Sequence, residues 1–461
     1  MRPCRGGRPP VPGGFVEPAR ARRRPWHTAR VGTGGRLELV SWGRPGTRVT
    51  RLELFYDVVF VFAFLNVTTL TSENLTGVAL FEMFLVLALL WSCWSGFAAL
   101  GNFVRADQAI MPAIGFGIMA SIFVLALTTD VAFFDEPGGL DGPLVFATAY
   151  LLTWLIKIVT FWVGVRVLSR RRALLLTLPT TGGAVLILIA AVLPDMFFDG
   201  TVALGVRLGL WVVALSFEYA AALMLIRTEW QVRSAGHLAE RHGLIVLVAL
   251  GESVIALGLG AAERTGRPIT WWAIYAAGVT LGIIFALWWL YFDTLALAME
   301  QHLHGVRGAE RIPLIRDVYT YLHLALIVGI IFFALGIKRM LARLTDPDVL
   351  ASRDIFGGLE LLSLYGGLVL YLLALVAMQW RMFHRLARRP LVAAGLLTVS
   401  APALLSLPTL VDLTLIGVVF VVLALMQIGR DRQVRRRVRS LALEEQVALE
   451  DEANVFRGRR L

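Results

Sequence analysis

Twelve long apolar runs, separated by short polar stretches, set the pattern of the chain. They cover residues 51–70, 77–101, 108–130, 143–168, 173–193, 201–225, 239–260, 269–292, 313–336, 356–379, 391–407 and 409–428. Each is close to the ~20 residues a helix needs to cross the hydrocarbon of a bilayer. Only helices and closed barrels satisfy every backbone polar group in that layer, and these runs are too long and continuous for barrel strands. The pattern predicts an all-α polytopic integral membrane protein of about twelve transmembrane helices. Pro402 and Pro408 interrupt the last two runs, one of which is open to a re-entrant reading.

Composition sharpens this expectation. Of 461 residues, 57% are apolar and 17% charged, against ~45–50% and ~25% in average soluble domains. That balance argues against a soluble enzyme, a nucleic-acid-binding protein and a disordered scaffold. The net charge of +11 comes almost wholly from arginine, since Lys157 and Lys338 are the only lysines. The arginines sit in the tails and between apolar runs, the pattern of cytoplasmic loops and not of a nucleic-acid surface. Cys4 and Cys93 lie in a tail and an apolar run and form neither a disulfide framework nor a metal site by themselves.

Residues 1–50 are rich in Arg, Pro and Gly and read as a disordered cytoplasmic arm. No apolar core follows its charges before residue 52, so it lacks the form of a secretory signal. An initiation codon assigned too early is the alternative account of the arm. Arg170, Arg171 and Arg172, then Arg381, Arg385, Arg388 and Arg389, and the tail from Arg430 to Arg439 fall on the arm's side of a twelve-span topology. Glu73, Asp135, Glu136, Asp141, Asp195 and Asp199 fall on the other. Both termini are therefore expected in the cytoplasm. One loop disagrees, with Lys338, Arg339, Arg343 and Arg353 placed outside.

Matching Trp pairs (Trp91 and Trp94, Trp288 and Trp289) and matching Arg-rich loops divide the chain into two membrane halves, 51–236 and 237–429. An even number of spans in each would make them parallel repeats. Residues 430–461 form a charged cytoplasmic tail, with helical spacing over 440–454.

Ionisable residues inside the runs carry the chemical information, because a charge at mid-membrane costs ~2.5–3.5 kcal/mol even on insertion scales. Glu53 and Asp57 stand four apart in RLELFYDVVFVF, on one helix face. Asp57 lies about 9 Å along the helix from Arg51, below the interface. An interfacial salt bridge to Arg51 or Arg105 is the plain reading, and proton exchange with the cytoplasm the functional one. The seventh run, HLAERHGLIVLVALGESVIALGLG, carries His237, Glu240, Arg241 and His242 at its entrance and Glu252 near its middle. Glu252 is the foremost candidate proton carrier; a neutral Glu bonded to a neighbouring helix is the plain reading. Gly251, Gly258 and Gly260 are expected to let another helix approach.

His237 and His242, five apart, diverge by about 140° on a helix and lack metal-ligand spacing, so no metal or other cofactor is expected. Glu218, Asp293, Arg105 and Asp107 fall toward the same side, suggesting a polar cavity opening inward, with Tyr321 and His323 deeper. Glu82 lies nearer the outer side.

RLELFYDVVFVF, then HLAERHGLIVLVALGESVIALG, then ALWWLYFD resemble the bacterial low temperature requirement protein A family over roughly residues 48–430. The resemblance implies a multi-pass protein of the bacterial inner membrane. The family's name links it to growth in the cold and implies no particular reaction. Members tend to carry an Asn-Arg-Phe-Asp-type segment after the second span, which here becomes NFVRAD, with Asn102, Arg105 and Asp107 at altered spacing.

Three functions compete. A proton-coupled secondary transporter would use Glu252 as proton carrier and Asp57, Glu53, His242 and Glu218 as a polar cavity. Its substrate contacts would come from Arg105, Asp107, Asn102, Trp288, Trp289, Tyr291 and Asp293. A membrane-embedded enzyme would use the carboxylates as general acid and base on a lipid or isoprenoid-like substrate. A non-catalytic sensor or assembly protein would tolerate loss of the acids but not of the arm. The expected partners are the bilayer and a small-molecule or lipid-like substrate, with homo-oligomerisation left open.

Overall fold

The computed structural model describes residues 48–461, apart from 136–137, 165–169, 225–233, 263–269, 307–309, 345–356, 405–406, 431 and 459–461. The expected arm lies outside the described residues but for its last three positions. Helices occupy all twelve predicted places: α1 (Arg51–Glu73), α2 (Gly77–Phe103), α3 (Met111–Leu127), α4 (Gly142–Gly164), α5 (Arg170–Phe197), α6 (Gly200–Met224), α7 (Ala235–Ala262) and α8 (Trp271–Phe292), then, after the short α9 (Leu295–Gly305), α10 (Arg311–Leu344), α11 (Gly358–Phe383), α12 (Arg388–Leu404) and α13 (Thr409–Arg430). A further helix, α14 (Arg432–Gly458), forms the tail and is longer than the 440–454 expected.

Ten of these helices are long and apolar enough to cross a membrane. The other two predicted spans fall short for identifiable reasons. α3 has 17 residues, about 26 Å of helix against the ~30 Å of hydrocarbon. Its start is delayed by the Arg105–Asp107 turn. α12 also has 17 residues, and Arg388 and Arg389 take up the start of that length.

Local sequence explains several boundaries. Thr50 caps α1 in a capping box with Glu53: its hydroxyl accepts from the Glu53 N–H while the Glu53 carboxylate accepts from the Thr50 N–H at 2.8 Å. Thr76 and Thr270 cap α2 and α8 in the simpler way. Two stretches are wound as π-helix, Ile315–Leu322 in α10 and Leu362–Gly366 in α11. Such bulges frequently mark functional sites.

α10 and α11 are, with α2, the most buried spans, and the contact between α10 and α11 is built on glycine. A Cβ on Gly367 would stand 2.5 Å from the Phe333 backbone nitrogen, and one on Gly336 would stand 2.7 Å from Leu364 Cα. The glycines expected to serve this purpose do not. Gly251 and Gly258 have nothing within 4 Å of where a side chain would begin, and the surroundings of Gly260 lie outside the described residues. A glycine pattern on one helix says nothing about which face meets a neighbour. α1 and α7 pack against α10, while α4, α5, α6 and α8 expose large apolar residues such as Leu178, Met196 and Phe285 on the outside.

Lys338, Arg339 and Arg343, expected in an outside loop, lie within α10, where Lys338 is buried and the two arginines are half-buried. Arg339 and Arg343 both pair with Glu360 of α11, at 2.9 and 3.1 Å, and Arg339 also donates to the Ser72 carbonyl. Glu360 answers part of this charge within the bundle. Arg353 lies outside the described residues, as do Glu136 and Cys4.

Candidate functional site

The first turns of α1 and α7 meet the last turns of α2, and there the bundle buries its densest set of charges. Glu53 is 1% exposed. It accepts from His237 Nε2 at 2.9 Å as well as from Thr50. A Cβ on Gly101 of α2 would stand 2.3 Å from Glu53 Oε1, so only glycine leaves this carboxylate its place. One turn deeper, Asp57 accepts from Arg241 Nη1 and from the indole N–H of Trp94, both at 2.9 Å. Arg241 also donates to the Glu53 carbonyl at 2.6 Å. Its guanidinium lies 5.4 Å from the Trp94 ring centre and 5.9 Å from that of Tyr56, within cation–π range.

Arg241 is fully buried, and its Nε and Nη2 have no hydrogen-bond partner. A guanidinium carries five donors, so this one is anchored on one side and unsatisfied on the other. Above it, Glu53 and His237 line a recess of about 80 Å³ together with Arg48, Thr50 and Arg105.

His242 continues the cluster inward. Its Nδ1–H donates to the Leu238 carbonyl at 2.8 Å. Its ring meets Trp94, Tyr319 and His323 edge-on, with centroids 4.8, 4.9 and 5.0 Å away. His323 follows the π-helical stretch of α10. Its Nδ1–H donates to the Val318 carbonyl, and its Nε2 accepts from the Tyr291 hydroxyl, both at 2.8 Å. Both nitrogens of a neutral imidazole are thereby used.

Glu252 belongs to a second station. On α1, Thr68 is eleven residues beyond Asp57, about 16 Å further along the seam. Thr68 Oγ1 stands 2.5 Å from Glu252 Oε1 and 3.0 Å from the Leu65 carbonyl. Glu252 Oε2 is buried without a partner. Lys338 reaches in from α10, donates to Thr69 Oγ1 at 2.9 Å, and is near enough to act electrostatically on Glu252. Apolar side chains, among them Phe60, Phe64, Val246 and Ala249, fill the seam between the stations.

Glu218 lies elsewhere, between α2, α4, α5 and α6. It accepts from the Tyr150 hydroxyl at 2.5 Å. It lines a pocket of about 250 Å³ with Lys157, Ser92, Ser95, Thr177 and Thr180. The expected single cavity is therefore replaced by separate polar sites, because each acid has found its own partner.

The other expected site residues scatter. Asn102 donates to the Ser234 carbonyl at 2.7 Å, tying α2 to the start of α7. Arg105 and Asp107 form an exposed pair at 2.8 Å beside the recess, and this hydrogen bond holds the Asp107 carboxyl below the usual range. Tyr291 joins the histidine cluster, and Trp288 stacks between Phe285 and Phe292. Asp293 pairs with Arg435 and Arg439 of α14, at 2.8 and 2.6 Å, while Arg435 lies over Trp289. These last residues dock the tail helix.

Sequence reasoning missed Arg241, Trp94 and His237 as partners of the acids, and Lys338 as a counter-charge for Glu252. It also passed over Asp412 of α13, buried with both oxygens unpartnered, and Arg207 of α6, bound to the Phe133 and Ala190 carbonyls and Asp195. Asp412 resembles an ordinary first-turn acid, and nothing local distinguishes it. Among the described residues, no group of three His, Cys, Asp or Glu side chains is placed to hold a metal.

Ten helices able to span a bilayer, with carboxylates and cations paired in its interior, define a multi-pass helical membrane protein. The chain matches the family model of the Bacterial low temperature requirement A protein (LtrA) over residues 48–425 and belongs to that family. It is also 25% identical over 321 residues to an uncharacterized protein of Rhizobium meliloti (strain 1021), covering 63% of this chain and 69% of the relative. No solved structure matches it.

Proposed function

We propose that the protein is a proton-coupled secondary transporter of the bacterial cell membrane. The carrying observation is the α1–α7 seam, which holds one acid–base station at each end and an apolar plug between. Asp57 faces Arg241 at one station, and Glu252 faces Thr68 and Lys338 at the other.

The geometry at Glu252 supports proton exchange there. The Thr68 hydroxyl has one hydrogen and two acceptors in reach. When that hydrogen serves the Leu65 carbonyl, the 2.5 Å contact requires the proton of a neutral Glu252 acid. When Glu252 ionises, the hydroxyl turns to it and Lys338 balances the charge. At the first station, Arg241 holds an ionised Asp57 and keeps the three N–H donors of Nε and Nη2 in reserve for an anionic group.

The topology that goes with this reading has twelve passes in two parallel sets of six. Both termini are cytoplasmic, so the Asp57 station faces the cytoplasm; arginine placement supports this. Purified protein in vesicles under an imposed pH gradient should move protons when its substrate is present, reported by an internal pH dye during a screen of small metabolites. E252Q should abolish this movement. Unchanged coupled movement in E252Q refutes the proposal.

One observation favours a second reading, catalysis on a lipid-like substrate. The Glu218 pocket combines a carboxyl, an amine and several hydroxyls within apolar walls, as general acid–base chemistry needs. Product formed from membrane lipid in detergent, without any gradient, would establish it over transport.

A further inference from the structure

A large cavity lies away from the seam, beneath the turn that joins α11 to α12. It has a volume of about 1220 Å³, above the ~300–1,000 Å³ of ordinary ligand sites. Its inner wall is apolar, built from Leu290, Leu295, Leu314, Leu375 and Leu423, and its rim carries Arg381, Arg385, Arg388 and Arg389. Glu310 is the one acid in its lining among the described residues.

The rim's charges are answered unequally. Arg381 shares Asp317 with Arg316, and Arg389 donates to the Met426 carbonyl at 2.6 Å. Arg385 and Arg388 are exposed and have no partner among the described residues. The turn itself is fixed, since His384 takes a left-handed conformation, φ 52°, and its N–H closes α11 on the Trp380 carbonyl. The next helix then opens with Arg388 and Arg389 and has no acid in its first turn. Helix N-termini favour negative charge, so two cations there oppose the dipole. An anion seated between Arg385, Arg388 and the start of α12 would answer both the dipole and the arginines. Gln379 and Gln427 extend the polar lining toward the apolar wall.

We propose that this cavity binds the phosphate-bearing head group of an acidic membrane lipid, with the acyl chains along the leucine wall. The apolar wall is what favours an amphiphile over a soluble phosphate, and a basic cavity at helix ends lies at head-group depth. This inference is independent of transport.

The test titrates the full chain in detergent with phosphatidylglycerol, phosphatidylcholine or inorganic phosphate, reading bound lipid by native mass spectrometry and protection by thermal unfolding. Phosphatidylglycerol should bind and protect. R385Q/R388Q should bind it about 30-fold more weakly, while R385K/R388K should retain most of the affinity. R170Q/R171Q, which removes equal charge from α5, should leave binding unchanged. Equal binding of the two lipids, wild-type affinity in R385Q/R388Q, or equal loss in R170Q/R171Q overturns the proposal. Protection by inorganic phosphate that displaces the lipid overturns the lipid assignment in favour of a soluble phosphate compound.

Discussion

The two stations of the α1–α7 seam use the same chemistry in opposite ways. Asp57 is locked, with a guanidinium on one oxygen and an indole N–H on the other. Glu252 is loose, with one oxygen shared with a threonine hydroxyl, the other unpartnered, and its cation bonded to Thr69 instead. A carboxylate fixed on both oxygens by donors is held ionised; one that touches a single hydroxyl can gain or lose a proton without breaking the structure. In the proposed transport reading, the first station would serve support and charge balance and the second proton exchange.

The comparison breaks most visibly at Arg241. R241M strands a buried carboxylate, and removing one partner of a buried pair costs about 3–5 kcal/mol. Thermal unfolding in detergent should show this loss, and D57N/R241M should recover part of it. E252Q, which replaces an acid by its neutral isostere, should unfold within about 1 kcal/mol of wild type. Similar losses in R241M and E252Q would erase the distinction between the stations.

Glycine substitutions sharpen it further. G101A places a methyl where Glu53 Oε1 now sits and should destabilise the first station by about 1–3 kcal/mol. G251A, beside Glu252, meets open space and should be neutral or stabilising by up to about 1 kcal/mol. The same thermal measurement decides both.

The smallest effect belongs to Arg105. Its pair with Asp107 is exposed, so R105Q should change stability by less than about 1 kcal/mol, fading as salt is added. The Asp107 carboxyl is held low by the Arg105 hydrogen bond. Whatever the pair contributes is therefore present above the ordinary carboxylate pKa and lost as pH falls through the depressed one. A pH series of wild type against R105Q should show the two curves converging in acid.

The spans and the family were legible in the sequence because both are local patterns. Apolar run length marks helices directly, and three short motifs in order mark the family. The shared face of Glu53 and Asp57 followed from their spacing of four. Their partners did not, because Arg241 lies 184 residues from Asp57, and only the packing of α7 on α1 joins them. Arg51 and Arg105, the nearer candidates, were favoured by proximity along the chain. Glu252 stood out as an acid in a long apolar run, but Lys338 read as loop charge because its run ends early in the sequence and late in the structure. Trp289 and Asp293 looked like site residues, since an aromatic and an acid near an interface read alike whether they meet a substrate or the protein's own tail. The close packing of α10 on α11 was equally hidden, because Gly336 and Gly367 face a neighbouring backbone and Gly251 faces open space, a difference no local pattern marks.

The central distinction is testable without knowing the substrate, by infrared difference spectroscopy of the protein at neutral pH against E252Q and against D57N. The account predicts that the E252Q difference contains the carbonyl band of a neutral carboxylic acid and that the D57N difference contains only ionised carboxylate. An E252Q difference with no neutral-acid band, or a D57N difference that has one, would contradict it.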